Sequence, residues 1–242
     1  MIPKIIHYCW FGKGEKPKSV QRFINQWKRI LPDYRIVEWN EDNFDVGFND
    51  FTREAYEHKK YAFVSDVARL YALVSMGGIY LDTDVEVLRP FDDLLDRDFF
   101  LGREYSGVIG TATIGASKGN EIVQSFLDTY QERHFEQPDG SIDTVPNVVH
   151  LTNHIQKCFP AQEVFDRFYF SPKHPATRVC EKKKHTYCIH HFDGTWTSDE
   201  FRRKRKKEGR RIFLHDLKVK IVSFFIDYEK ARKIKKQILG RL

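Results

Sequence analysis

Two carboxylates separated by one residue, Asp82 and Asp84, are the side chains in this sequence best suited to hold a cation. They follow the apolar residues 79–81, which predict a buried strand. Because residues i and i+2 of an extended chain point to the same side, both carboxylates are expected to face one hard divalent ion at the carboxyl end of that strand. Asp-x-Asp is also common in solvated turns, so the pair alone leaves a turn without metal open.

A helix is predicted immediately before these aspartates, over residues 61–76, because apolar side chains recur there with the helical period. Gly77 and Gly78 are expected to end it. Asp66 and Arg69 are three residues apart and share one face of this helix, among apolar neighbours. Charged groups in such surroundings are usually paired or functional. Two interpretations stay open. The two residues form an ion pair with each other only, or Asp66 accepts a ribose hydroxyl and Arg69 binds phosphate beside the metal.

The order of the predicted elements indicates the fold class. Strands are predicted near residues 2–10, 34–39, 79–82, 85–88, 99–102, 164–170 and 187–192, and helices over 18–31, 50–59, 61–76, 120–133 and 147–159. This alternation favours an α/β fold with a mostly parallel sheet flanked by helices. Ligands of such sheets bind beyond the carboxyl ends of the strands. Trp10 would lie there, either stacked on a flat base or packed in the core.

The charge of the chain is divided unevenly between two predicted domains. The 242 residues carry a net charge of +6, but residues 201–242 contain sixteen Lys or Arg and four Asp or Glu, so they carry +12 and residues 1–200 carry −6. We therefore predict a catalytic α/β domain over 1–200 and a basic, amphipathic, helical extension over 201–242. Interleaved apolar residues suit the extension to an anionic membrane surface; a solvated tail or a packed helical pair are the alternatives. The acidic first domain argues against nucleic acid as a partner.

The sequence also gives an expectation for location. It contains no run of about 18 apolar residues, so no membrane span is expected. The first residues enter a predicted strand without the apolar region of a signal peptide. We expect a cytoplasmic protein that contacts the inner face of the cell membrane through its basic extension.

Four sequence blocks carry a family resemblance: Ile2-Pro3-Lys4-Ile5-Ile6-His7-x-x-Trp10, Ser65-Asp66-x-x-Arg69, Gly77-Gly78-x-Tyr80-x-Asp82-x-Asp84 and His190-His191-Phe192-x-Gly194-x-Trp196. Together they resemble the Asp-x-Asp glycosyltransferases, the family 32-like sugar transferases of capsular and surface polysaccharide synthesis, with distant similarity to yeast mannosyltransferases and clostridial glucosylating toxins. The resemblance implies a GT-A-type, Rossmann-like fold. It further implies a hexosyltransferase that uses Mn²⁺ or Mg²⁺ to move a sugar from a nucleotide sugar, expected to be a UDP-sugar, to a surface glycan or lipid-linked saccharide, with retention of anomeric configuration.

The same resemblance implies a role for individual residues. Trp10 is expected to stack on the base, Asp66 and Arg69 to contact the ribose or donor sugar and the phosphate, and Tyr80 to pack beside them. Asp82 and Asp84 are expected to bind the metal and the diphosphate, and His190 to bind the metal. Gly194 would allow close approach of the backbone to phosphate, and Trp196 would close over the donor. Catalysis is expected from Asp82, Asp84 and Arg69. If 187–192 is a strand, only one of the two adjacent histidines can face the site.

One segment departs from the family pattern. Related enzymes commonly place an Asn-rich segment before Gly-Ala or Gly-Ser, whereas residues 109–117 read Ile-Gly-Thr-Ala-Thr-Ile-Gly-Ala-Ser. Recognition of the donor or the acceptor is left open by this difference. Two other classes of function also stay open. A metal-dependent nucleotide-sugar phosphohydrolase or nucleotidyltransferase would usually need more ligands, and a non-catalytic, membrane-tethered binding protein would tolerate loss of the aspartates.

Overall fold

A five-stranded sheet lies at the centre of the larger of two structural units, which comprises Met1–Lys173 and Cys180–Trp196. The computed structural model describes residues 1–105, 107–194, 203–204 and 206–212. The strands are β1 (Ile5–Cys9), β2 (Arg35–Trp39), β3 (Gly78–Leu81), β4 (Val85–Val87), β5 (Phe99–Arg103), β6 (Ile109–Ala116) and β7 (Cys188–His190). The helices are α1 (Lys18–Ile30), α2 (Asp50–Glu57), α3 (Tyr61–Met76), α4 (Glu121–Asp128), α5 (Asn147–Cys158) and α6 (Arg167–Phe170).

The large sheet is mixed, which corrects the prediction of a mostly parallel one. Its strand order is β2-β1-β3-β6-β5, while β4 and β7 pair in a separate two-stranded sheet. Strand β1 is parallel to β2 and β3, but β6 is antiparallel to both β3 and β5. The reason is the short connection 104–108 between β5 and β6, since a parallel pair needs a crossover of a dozen or more residues.

Helices cover both faces of the large sheet, as the α/β prediction requires. Side chains alternate along β3, so Tyr80 packs with the apolar face of α3, while Ile79 and Leu81 pack with the apolar face of α1. Trp27 of α1 is completely buried in this second layer. The strand that carries the metal motif is therefore enclosed by helices on both sides.

Most predicted elements are present, and two segments differ. The five predicted helices correspond to α1–α5. The strand predicted near 164–170 is wrong: Phe165 forms only an isolated bridge, and the side chain of Asp166 accepts the N–H of Phe168 to begin the short helix α6. Strand β6, the longest in the sheet, was not predicted.

The second unit comprises His174–Val179 and Thr197–Leu242. Residues 203–204 and 206–212 within it are helical. The rest of the predicted extension 201–242 lies outside the described residues, so its helical character and the domain boundary at 200 stay predictions. Among the helices of the described segments, none has both the length and the apolar character needed to cross a bilayer.

Candidate metal and donor-binding site

The two aspartates lie in a tight turn and not, as predicted, in an extended strand. Strand β3 ends at Leu81, and the N–H of Val85 donates to the carbonyl of Asp82 at 3.0 Å, which closes the turn. The chain then enters β4 in the small sheet. Trp27 of α1 fixes this point because its indole N–H donates to the Val85 carbonyl at 2.9 Å. The carboxylates of Asp82 and Asp84 thus converge through a reversal of the chain.

Strand β7 brings a histidine to the aspartates by pairing antiparallel with β4, its last residue opposite the first residue of β4. The Nε2 atom of His190 lies 3.5 Å from Oδ1 of Asp84. One ligand atom each from Asp82, Asp84 and His190 lie within 4.8 Å of one another. His191 turns to the other face and contacts Glu86 at 2.8 Å, in keeping with the alternation of side chains along a strand.

Asp82 is held from the protein side by two buried side chains. The hydroxyl of Tyr80 donates to Asp82 Oδ1 at 2.9 Å, and Nη2 of Arg69 lies 3.4 Å from the same oxygen. The Arg69 guanidinium also lies 2.8 Å from Asp66 Oδ1 and donates to the carbonyl of Thr111 at 3.0 Å. The ion pair of Arg69 with Asp66 is therefore present, but it is not isolated, because the same guanidinium also contacts Asp82.

Burial and neighbouring charges shift the pKa values in this cluster. Burial raises the pKa of Asp66 to about 6, although Arg69 opposes the shift. It also raises the pKa of Asp84, against the opposing positive charge of His190. For His190, burial lowers the pKa, but Asp84 and Glu104 outweigh this and raise it to about 9. The carboxylates around His190 therefore favour a positive charge at this histidine, and a proton and a metal ion would compete for its nitrogen.

Glu104 is a site residue that the sequence analysis missed. Its Oε1 lies 3.3 Å from Nδ1 of His190, on the side of the ring opposite the aspartates. Strands β3 and β5 are both antiparallel to β6, so they run in the same direction and end at the same edge of the sheet. The signal in the sequence was a carboxylate two residues after the strand predicted over 99–102.

The histidine of the amino-terminal block has a structural role and is not at the cation cluster. The Nδ1 atom of His7 accepts the indole N–H of Trp39 at 3.0 Å, and its Nε2 lies 2.7 Å from the carbonyl of Gly77. This arrangement requires the neutral ring with the proton on Nε2. Burial lowers the pKa of His7 to about 4. His7 thus ties β1 and β2 to the end of α3.

The remaining predicted donor contacts stay predictions. Trp10 follows β1 at the same edge of the sheet as Asp82, since β1 and β3 are parallel, and its indole N–H donates to the Gly14 carbonyl at 2.7 Å. Gly194 has a φ of 60°, a conformation that glycine adopts at little cost. Trp196 lies outside the described residues.

The donor set fits a hard divalent cation. Carboxylate oxygens suit Mg²⁺ and Mn²⁺, and Mn²⁺ also accepts an imidazole nitrogen. Tyr80 and Arg69 both contact Oδ1 of Asp82, and the N–H of Asp193 donates to Oδ2 of Asp84 at 2.8 Å. Each carboxylate is thus fixed by the protein through one oxygen. This is the arrangement expected of ligands that are oriented before an ion binds.

The fold is similar to that of a solved structure. The structure of the PaToxG glycosyltransferase superposes with a TM-score of 0.52 at 20% sequence identity, and the match covers 66% of this chain and 71% of that one. The aspartate turn therefore lies in an α/β scaffold with a mixed sheet that is similar to the fold of that protein.

The sequence of this region matches a known family. Residues 17–101, which include the aspartate turn, match the family described as the glycosyltransferase sugar-binding region containing the DXD motif. The match covers 85 of the 242 residues.

Two curated relatives match about half of this chain. The "Subversion of eukaryotic traffic protein A" of Legionella pneumophila is 27% identical in an alignment of 165 positions that covers 55% of this chain and 26% of that protein. "Inositol phosphoceramide mannosyltransferase 3" of Schizosaccharomyces pombe is 30% identical in an alignment of 129 positions that covers 50% of this chain and 35% of that protein. The chain thus spans about a quarter to a third of the length of these relatives.

Proposed function

We propose that this protein is a metal-dependent glycosyltransferase that moves a hexose from a nucleotide sugar to a saccharide acceptor. The observation that carries the proposal is the convergence of Asp82, Asp84 and His190, whose ligand atoms lie within 4.8 Å of one another although the aspartates lie in the turn between β3 and β4 and the histidine ends β7. The match of residues 17–101 to the DXD sugar-binding family gives this cluster its chemical context.

The chemistry of sugar transfer explains why such a cluster is needed. Cleavage of the bond between a sugar and a nucleoside diphosphate leaves negative charge on the departing phosphate, which a divalent ion held by Asp82, Asp84 and His190 would neutralise. Arg69 and Tyr80 position Asp82 through contacts of 3.4 and 2.9 Å to one of its oxygens. Arg69 is therefore proposed to act through Asp82, and its guanidinium also places positive charge beside the diphosphate.

The donor and the stereochemistry follow from family resemblance. We propose a UDP-sugar as donor, with Trp10 against the base, Asp66 at the ribose or sugar, Gly194 near the phosphates and Trp196 over the donor. We also propose retention of configuration, with the departing diphosphate accepting the proton of the incoming hydroxyl, so that no side chain has to serve as nucleophile. A surface glycan or a lipid-linked saccharide is the proposed acceptor.

Binding and turnover with a panel of nucleotide sugars test the proposal. UDP-sugars with Mn²⁺ are expected to raise the melting temperature and to release UDP and free sugar slowly. Asp84→Asn removes one anionic ligand and should weaken metal-dependent UDP binding, measured by calorimetry, by at least about tenfold. Asp96→Asn, a change to an exposed carboxylate, is the matched control.

Two results would contradict the proposal. Unchanged metal-dependent affinity in Asp84→Asn would exclude this residue as a ligand. Release of UMP in place of UDP would indicate cleavage of the phosphoanhydride bond, which is the chemistry of a phosphohydrolase or nucleotidyltransferase.

A further inference from the structure

Gly110 leaves the space that the side chain of Glu104 occupies beside the cation cluster. A Cβ atom at Gly110 would lie 2.9 Å from Cγ and 3.1 Å from Oε1 of Glu104, so any larger residue would obstruct this carboxylate. The backbone at Glu104 is fixed as well: its N–H donates to the carbonyl of Val108 at 2.8 Å, and its carbonyl accepts the N–H of Gly107 at 3.0 Å. The carboxylate therefore projects from a closed hairpin.

The two nitrogens of His190 face different groups. Nε2 lies 3.5 Å from Oδ1 of Asp84, and Nδ1 lies 3.3 Å from Oε1 of Glu104. The contact to Glu104 is short enough for a hydrogen bond, but its angle is not that of one. Among the described residues, the buried Nδ1 atom has no other hydrogen-bond partner. The His190 and Glu104 side chains are only 13% and 12% exposed, so water does not readily replace the contact. A buried N–H left without an acceptor is costly, which favours donation to Glu104 after a small rotation of the ring.

We propose that Glu104 is a positioning residue that accepts the Nδ1–H of His190 and thereby turns the Nε2 lone pair toward the cation. The inference rests on the proposed function, because it assigns a partner to one ligand of the proposed metal site. Carboxylates that accept the second N–H of a ligating histidine fix its ring and its tautomer, and they raise its basicity toward the metal. Glu104 would supply this support from a hairpin that also carries the carbonyl of Thr111, the acceptor of Arg69.

Glu86 on the other face of the same strand pair offers a matched control. It contacts Nε2 of His191 at 2.8 Å, so it forms the same kind of carboxylate–histidine pair away from the aspartates. We would compare Glu104→Gln, Glu104→Ala and Glu86→Gln in the full-length chain. Mn²⁺ affinity is measured by electron paramagnetic resonance in the presence of UDP. The Nδ1–H signal of His190 is measured by NMR of metal-free protein labelled with ¹⁵N-histidine.

Glu104→Ala should weaken Mn²⁺ binding by about 10- to 100-fold and abolish the protected Nδ1–H signal of His190. Glu104→Gln keeps an acceptor but loses the charge, so its effect should be smaller. Glu86→Gln should leave both readouts for His190 unchanged.

Three results would overturn the positioning role. The first is unchanged affinity together with an unchanged signal in Glu104→Ala, which leaves the proposed function standing. The second is a loss of Mn²⁺ affinity without a change at His190, because Glu104 would then be a ligand itself. The third is absence of a protected Nδ1–H signal in the wild-type protein. This result would contradict the positioning role even if the variants do not fold. Failure of the wild-type protein to bind Mn²⁺ would contradict the proposed function, while the NMR signal would still test the contact.

Discussion

Two buried histidines show how neighbouring atoms decide the charge of a single residue. His7 lies between the indole N–H of Trp39 and the carbonyl of Gly77, with no exposed surface. His190 lies between the carboxylates of Asp84 and Glu104. Burial opposes the charged ring at both positions, but only His190 has anionic neighbours that outweigh it, so the pKa is lowered to about 4 at the first and raised to about 9 at the second.

The neutral state of His7 predicts a loss of stability in acid. Above pH 6.5 the ring is neutral in both the folded and the unfolded chain. As the pH falls from 6.5 toward about 4, the unfolded chain binds a proton that the folded protein does not, so the free energy of unfolding decreases. The shift corresponds to roughly 3 kcal/mol. Urea unfolding of His7→Gln at pH 7 and pH 4 should show a decrease smaller by about this amount than in the wild-type protein.

Replacement of an exposed histidine gives the comparison for this experiment. His58→Gln removes a histidine that is 40% exposed, so it controls for the loss of an imidazole elsewhere in the protein. An equal decrease in His7→Gln and wild type would show that His7 is not the group responsible.

Among the elements, the unit formed by α3, two glycines and β3 is the part that the sequence predicts best. The apolar period of α3 and the glycines after it are local signals, and the helix has the predicted bounds Tyr61–Met76. Gly77 ends it with a φ of 65°, and Gly78 follows with a φ of 119°. Both are conformations that residues with a Cβ rarely adopt.

Replacement of the second glycine should destabilise the protein. A Cβ at Gly78 would lie 2.7 Å from the carbonyl oxygen of Ile5 and 2.9 Å from Nε2 of His7, and the positive φ adds strain. Gly78→Ala should therefore lower the free energy of unfolding by at least about 1–3 kcal/mol, measured by urea denaturation. Gly14→Ala is the control, because a Cβ there meets no atom within 4 Å. Equal stability of the two variants would contradict the close packing inferred here.

Strand β6 shows why other elements could not be predicted. Six of its eight residues are Gly, Ala or Thr, with Gly at 110 and 115, and glycine usually weakens a strand. The structure gives a tertiary reason for the second glycine: a Cβ at Gly115 would clash with the ring of Phe100 on β5. No local pattern contains that contact. Without β6 the sheet has no antiparallel partner for β3, and its mixed character is missed.

The same limit applies to the candidate site. Sequence spacing predicted that Asp82 and Asp84 face one ion, and family resemblance added His190; the structure brings ligand atoms of all three within 4.8 Å of one another, while their joint function stays a prediction. The turn that joins the aspartates, the sharing of Arg69 between two carboxylates and the contact of Glu104 with His190 all depend on chain segments far apart in sequence. Such contacts become evident only once β3, β5 and β7 are placed.

At the scale of the whole molecule, the division of charge is the feature that the proposed transferase chemistry does not explain. Residues 1–200 carry −6 and residues 201–242 carry +12. We propose that the basic segment holds the protein at an anionic membrane surface, where each Lys or Arg contributes about 1 kcal/mol. A lipid-linked saccharide acceptor would be found at such a surface.

Replacement of the six basic residues 202–207 by glutamine tests this proposal. The variant should bind vesicles containing phosphatidylserine at least about tenfold more weakly than the wild-type protein, since the change removes several favourable charges. Cosedimentation with the vesicles measures the effect, and added salt should reduce wild-type binding. Replacement of Lys182, Lys183 and Lys184 is the control for loss of charge elsewhere. Unchanged cosedimentation of the 202–207 variant would contradict a membrane role for this run.

The pairing of β4 with β7 has a consequence for how the cluster is held together. Asp82 follows the large sheet, whereas His190 belongs to a ribbon whose two strands have three residues each. The aspartates and the histidine are roughly a hundred residues apart in the chain, so an ion bound to both would cross-link the two segments and close a long loop. The free energy of ion binding would then also be free energy of folding. Fraying of this small ribbon would separate His190 from the aspartates, so ion binding depends on the smaller of the two sheets formed by the described residues.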